Sequence, residues 1–187
     1  MPSGNGFRPV RTLSGGHKFR SRRYRVDTAN PHDLFSGHAC YLVSGAVVGA
    51  TTSTTTPLLG VIKCLYDTNG KPLTFNSTGI YLASATRGYA DVYDDPNIVF
   101  SAVINATASS AMIGAVCDIV AAATGTPRTG VSNMSLDATT VAAETSANQQ
   151  TLPFKIVGLA DTERYVYSSG ARVDVLINLH AFKPHVI

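Results

Sequence analysis

The chain has 187 residues, 44% of them hydrophobic and 14% charged, with a formal charge of +3 at neutral pH. An average soluble domain carries about 25% charged residues, and a chain this apolar with so little net charge is not disordered throughout. One domain, or two at most, is long enough to bury a core without disulfides or metal; Cys40, Cys64 and Cys117, widely spaced and with no CxxC pair, fit neither a disulfide framework nor a zinc site and suit a reducing compartment.

The first element in chain order is a basic stretch. Residues 1–25 hold Arg8, Arg11, Lys18, Arg20, Arg22, Arg23 and Arg25 with no acid, a charge of +7, whereas the rest of the chain carries eight bases and twelve acids. Pro2, Gly4, Gly6, Pro9, Gly15 and Gly16 interrupt it, and no apolar period of 2 or 3.6 emerges. Residues 1–38 are therefore expected to form an extended arm, and residues 39–187 the folded body. Positive charge with no apolar run behind it is not a secretory signal. The seven bases are the candidate binding residues. They suit phosphates of a nucleic acid, whose counterions they would release, or carboxylates on an acidic protein surface. Phe7, Leu13, Phe19, Tyr24 and Val26, interleaved among them, could stack on bases or fill protein pockets, which leaves both partners open.

The body reads as strands: Tyr41–Val48, Leu58–Tyr66, Pro72–Asn76, Ile80–Ala83, Tyr89–Tyr93, Ile98–Ile104, Val116–Ala121, Gly130–Leu136, Leu152–Leu159 and Arg172–His180. The last is the clearest, with Val173, Val175, Ile177 and Leu179 on one face and Arg172, Asp174, Asn178 and His180 on the other, Leu176 breaking the polar side. Asp67-Thr68-Asn69-Gly70 is a hairpin signal and Asp94-Asp95-Pro96-Asn97 a turn signal. The threonine-rich Thr51–Thr56 reads as loop or extended chain, Ser109–Ile113 as a single capped turn, and Thr140–Gln149 as a short helix or a loop. Many short strands with turns between them predict an all-β barrel or sandwich with little helix. The longest apolar runs, Ala39–Ala50 and Ala111–Ala123, are too short to span a bilayer, so no membrane partner is expected.

Chemistry is sparse. Gly70-Lys71-Pro72 places proline where a phosphate loop needs a hydroxyl residue, and no G-x-S-x-G elbow occurs. His32, Asp33 and His38 lie at an arbitrary spacing for a metal site. Asp94-Asp95 could do acid/base work or bind a hard cation, but the run through Pro96 and Asn97 is the pattern of a turn. The cysteines sit in apolar strands, where a thiol behaves as a small hydrophobe. With only Glu144 and Glu163 as glutamates and no convergent set of His, Cys and acids, neither enzymatic activity nor a metal or cofactor is expected. A surface poor in Lys and Glu resembles the core of an interface, and exposed strand edges need neighbours, so a homo-oligomer, dimer or trimer, is expected.

The run Ala90–Val103, ADVYDDPNIVFSAV, resembles a recurrent segment of the head decoration (structural cement) proteins of tailed bacteriophages. Ile113-Gly114 with Cys117–Val120, then Thr129–Asp137, Leu152–Leu159 and Val175–His180 follow in the same order, so that the likeness spans roughly residues 58–182. The resemblance implies a small β protein without an active site that binds the outer surface of an icosahedral head, made in the host bacterial cytoplasm, and clamps major capsid protein subunits together. The basic N-terminal stretch lies outside this pattern. The alternative is a small icosahedral coat protein whose basic arm binds the packaged genome.

Overall fold

The computed structural model describes residues 6–51, 56–74, 79–120, 125–143, 151–160 and 170–183. In chain order the strands are β1 (Arg8–Thr12), β2 (Arg22–Val26), β3 (Ala39–Val43), β4 (Ala46–Gly49), β5 (Leu58–Tyr66), β6 (Gly88–Tyr93), β7 (Ile98–Val103), β8 (Val116–Cys117), β9 (Ile119–Val120), β10 (Gly125–Thr126), β11 (Val131–Ser132), β12 (Ser135–Leu136), β13 (Phe154–Leu159) and β14 (Arg172–Ile177). Strands β2-β4-β3-β5-β6 close into a barrel, and β1-β7-β14-β13-β8 form a five-stranded sheet. Two short ribbons, β10-β11 and β12-β9, accompany them. The chain is all-β, as its turn spacing implies.

Two apolar clusters hold these layers. Val26, Cys40, Val47, Leu59, Ile62, Leu65, Ala90 and Val92 fill the barrel. Phe100, Phe154, Ile156, Val173, Val175 and Ile177 of the sheet pack with Phe7 and with Ala39, Leu58 and Val61 from the barrel. Strand β5 explains how one strand serves both. A bulge at Leu59, where Cys40 pairs with Gly60 but Tyr41 with Leu58, breaks its alternation, so that Leu59 and Ile62 enter the barrel while Leu58 and Val61 face the sheet, and its first five residues are all buried. Gly60 lies between them because a Cβ there would come within 2.0 Å of the Tyr93 carbonyl oxygen.

The extended arm expected over residues 1–38 is not what the structure holds. β1 pairs antiparallel with β7, Arg8 opposite Ser101 and Thr12 opposite Ile98. β2 pairs antiparallel with β6, Arg23 opposite Asp91, and parallel with β4. Phe7 stacks on Phe154 with ring centroids 4.5 Å apart, Phe19 meets Tyr93 edge-on, and Val26, Leu34 and Phe35 are buried. The apolar residues between the bases are thus spent on the chain's own cores, whereas Leu13 alone of the five stays exposed. The barrel is inserted between β1 and β7, so a division at residue 38 cuts through both layers.

The run Tyr41–Val48 is a hairpin rather than one strand. Ser44 and Gly45 both have positive φ, 50° and 78°, the geometry of a type I′ turn between β3 and β4. Val116–Ala121 divides at Asp118, whose carboxylate accepts the Ile119 N–H, and Gly130–Leu136 divides into strands with different partners. Pro72 and Leu82 make only isolated bridges, to Tyr66 and Leu34. Leu58–Tyr66 is a strand with those bounds, and Tyr89–Tyr93, Ile98–Ile104, Leu152–Leu159 and Arg172–His180 are strands with shifted ends. Short 3-10 turns occupy Ser110–Met112, without a side-chain cap from Ser109, and Ala138–Thr140. Residues 52–55, 75–78 and 144–150, on which parts of the remaining expectations fall, lie outside the described residues.

Candidate functional site

Five of the seven basic residues lie on two strands, Arg8 and Arg11 on β1 and Arg22, Arg23 and Arg25 on β2, with Lys18 and Arg20 between them, and carboxylates meet four of the five. On β2, alternation turns Tyr24 and Val26 toward the barrel interior and Arg23 and Arg25 away from it. The cross-strand register sets Arg23 opposite Asp91 of β6, where its Nε donates to Asp91 Oδ1 at 2.9 Å and its Nη2 to Oδ2 at 3.4 Å. The guanidinium lies over the Tyr66 ring, 3.7 Å from its centroid, and the Tyr66 hydroxyl donates to Asp91 Oδ2 at 2.7 Å. Burial works to raise the Asp91 pKa, but the hydrogen bonds from Arg23 and Tyr66 outweigh it and hold the carboxyl below its ordinary value. The bond to Asp91, together with burial, pushes Tyr66 up to about 12.

A second acid sits one turn away in the chain. Asp94 is 5% exposed, accepts the Tyr24 hydroxyl at 2.6 Å and pairs with Arg22 at 3.4 Å. Burial and the bond to Asp94 push Tyr24 up to about 12. Its neighbour Asp95 does the turn's work, accepting the Asn97 N–H at 2.9 Å as β6 leaves the barrel for β7. The paired carboxylates of the sequence therefore divide between an ion pair and a turn. Asp27 is flanked by Arg25 at 3.1 Å and Arg87 at 3.5 Å; the Thr28 N–H, with these cations assisting, lowers its pKa.

On β1, Arg11 reaches Asp174 of β14 at 3.8 Å. Of the seven bases singled out, Arg11, Arg22, Arg23 and Arg25 thus have carboxylate partners within the fold. Arg8, Lys18 and Arg20 are exposed and make no ion pair among the described residues. The partners Asp27, Asp91, Asp94 and Asp174, with Tyr24 and Tyr66, went unread in the sequence as parts of this arrangement. Their signal was the alternation of Tyr24 and Val26 against Arg23 and Arg25, which is that of a half-buried strand.

The other candidate groups stay apart. Asp33 accepts the Ser84 N–H at 2.8 Å, and His38 is buried edge-on to Phe35. No three His, Cys, Asp or Glu among the described residues are grouped to hold a metal ion. Cys40, Cys64 and Cys117 are free; burial raises the thiol pKa of Cys40 and pushes that of Cys117 up to about 12, which keeps both protonated and unreactive. No helix among the described residues is long and apolar enough to cross a membrane. Compared with known protein families, curated proteins and solved structures, the chain matches none of them.

Proposed function

We propose that this chain is a non-enzymatic structural protein of a virus particle, a decoration protein that binds the outer surface of an icosahedral phage head and secures contacts between major capsid protein subunits. The observation that carries the reading is where the segments of resemblance fall. Ala90–Val103 is the strand, turn and strand by which the chain passes from barrel to sheet, and the later segments supply β8, β9, β11, β12, β13 and β14 in order. The likeness thus follows the framework of a body whose sequence is poor in Lys and Glu, as a surface covered by neighbours would be.

Attachment through a free strap gives way to attachment through a face. Arg8, Lys18 and Arg20 are the bases of the set available to an acidic coat surface, because the other four are engaged by the chain's own carboxylates. That engagement also weighs against the genome-binding alternative, since each paired arginine would have to surrender an acid to take a phosphate.

Particles of the virus encoding the chain test this. Purified heads are expected to carry it on the outside, as a symmetric oligomer, equally on emptied and DNA-filled heads. Substituting Arg8, Lys18 and Arg20 together by alanine is expected to weaken attachment roughly tenfold at low salt, the difference from the unsubstituted chain shrinking as salt rises, with the body still folded. Attachment that requires packaged nucleic acid would overturn the reading.

A further inference from the structure

A cleft of about 490 Å³ opens where β1, β7 and β14 meet, lined by Val10, Arg11, Ser101, Ala160, Gly170, Arg172 and Asp174. The strand registers explain its polarity. Ser101 is opposite Arg8 on one side and Asp174 on the other, and Arg172 is two residues from Asp174 on the same face of β14. Three arginines and one acid therefore share one face of the sheet.

Among the described residues their charges do not cancel. Asp174 is engaged by Arg11 at 3.8 Å. Arg172 donates from Nη1 to the Ser101 hydroxyl at 3.3 Å, while its Nη2 is buried with no hydrogen-bond partner among the described residues. Burial, and then the nearby Arg8, lower the Arg172 pKa, so the guanidinium is held where its charge is disfavoured. A buried donor on a cation is costly unless an acceptor meets it, and a carboxylate matches the guanidinium fork in geometry and charge. The volume is in the range of small-ligand sites.

We propose that this cleft binds a carboxylate, with Arg172 as its principal ligand, Arg8 supplying further positive charge, Arg11 neutralising Asp174 beside it, and Ser101 fixing the guanidinium. Arg8 serves both this site and the proposed coat contact, but the assay stands apart from the capsid reading, because it needs only the chain and a carboxylate in solution.

Titration of the full chain with glutarate, and separately with acetate, at constant ionic strength and followed by NMR or calorimetry, is the test. Saturable binding is expected, weakened at least tenfold by Arg172→Ala, by less in Arg172→Lys, which keeps charge but not the fork, and severalfold by Arg8→Ala. Arg8 is exposed, so that variant remains informative should Arg172→Ala fail to fold. Absence of saturable binding, equal affinity in Arg172→Ala and Arg8→Ala, or uptake of inorganic phosphate without carboxylates would overturn the proposal.

Discussion

Acid should loosen this fold through one histidine before its carboxylates are reached. His180 is fully buried where the barrel meets the sheet, bridged in parallel to Leu58 of β5, whose N–H donates to the Leu179 carbonyl and whose carbonyl accepts the Ala181 N–H. Its Nδ1 accepts the Phe182 N–H at 3.1 Å, so the neutral ring carries its proton on Nε2, which has no partner among the described residues. A second proton would have to displace the Phe182 donor. Burial lowers the pKa to about 4, against the pull of Asp94 and Asp95, from an ordinary 6.5. A histidine depressed in this way takes up protons more readily when unfolded. Its contribution is whole above pH 6.5 and is lost as pH falls toward 4. Linkage across those two values gives a loss of about 2 kcal/mol between pH 7.5 and 5. Urea unfolding of the wild type and of His180→Gln at both pH values isolates the effect, because the other histidines cancel in the difference. A stability difference that stays constant to within about 0.5 kcal/mol would refute the burial argument. One that grows in acid would mean that Asp94 and Asp95 dominate.

Phe7→Ala is expected to cost about 3 kcal/mol in urea unfolding, as for a core aromatic, because Phe7 is buried and stacked on Phe154; a residue on a free arm would cost under about 0.5 kcal/mol. Tyr24→Phe leaves the buried Asp94 without its hydroxyl donor and should cost about 2 kcal/mol at neutral pH by the same measurement. In an absorbance titration, the phenol that variant removes should be one that ionises near pH 12.

Class and strands were legible where a run was buried on one face or both. Arg172–His180 showed its alternation openly, and Leu58–Tyr66 was a continuous apolar run bounded by turn residues, so neither needed tertiary information. The hairpin within Tyr41–Val48 was missed: Ser44-Gly45 is a turn dipeptide, but apolar residues on both sides made the run read as one strand. The N-terminal strands were not legible by charge. Arg22–Val26 is dominated by bases, and what makes it a strand is Asp91 and Asp94, some 70 residues on, together with a barrel interior that accepts Tyr24 and Val26. Strand β1 is short, contains Pro9 and arginines, and lies at a sheet edge, where such residues are tolerated and useful against unwanted pairing. Arg172 was read only as part of a polar face, because its cleft depends on β1 arriving from the far end of the chain.

The same topology changes what the charge block can do for a partner. A +7 segment beside an acidic body acts as a separate electrostatic object only while the two stay apart, and strand pairing brings four of the seven bases against carboxylates. Among the described residues, Arg8, Lys18 and Arg20 make no ion pair. For duplex nucleic acid, the slope of log affinity against log salt is about −0.9 per phosphate neutralised. Seven free bases would give a slope of about −6, and three about −3. Titrating the chain with duplex DNA between 50 and 200 mM salt, a range suited to such slopes, therefore reads how many bases the fold leaves available. A slope near −6 would mean that β2 and β1 release their acids on binding, and would move the functional reading toward a genome-binding coat protein. A slope near −3 with weak affinity is the result expected of a protein whose basic residues chiefly hold its own barrel and sheet together.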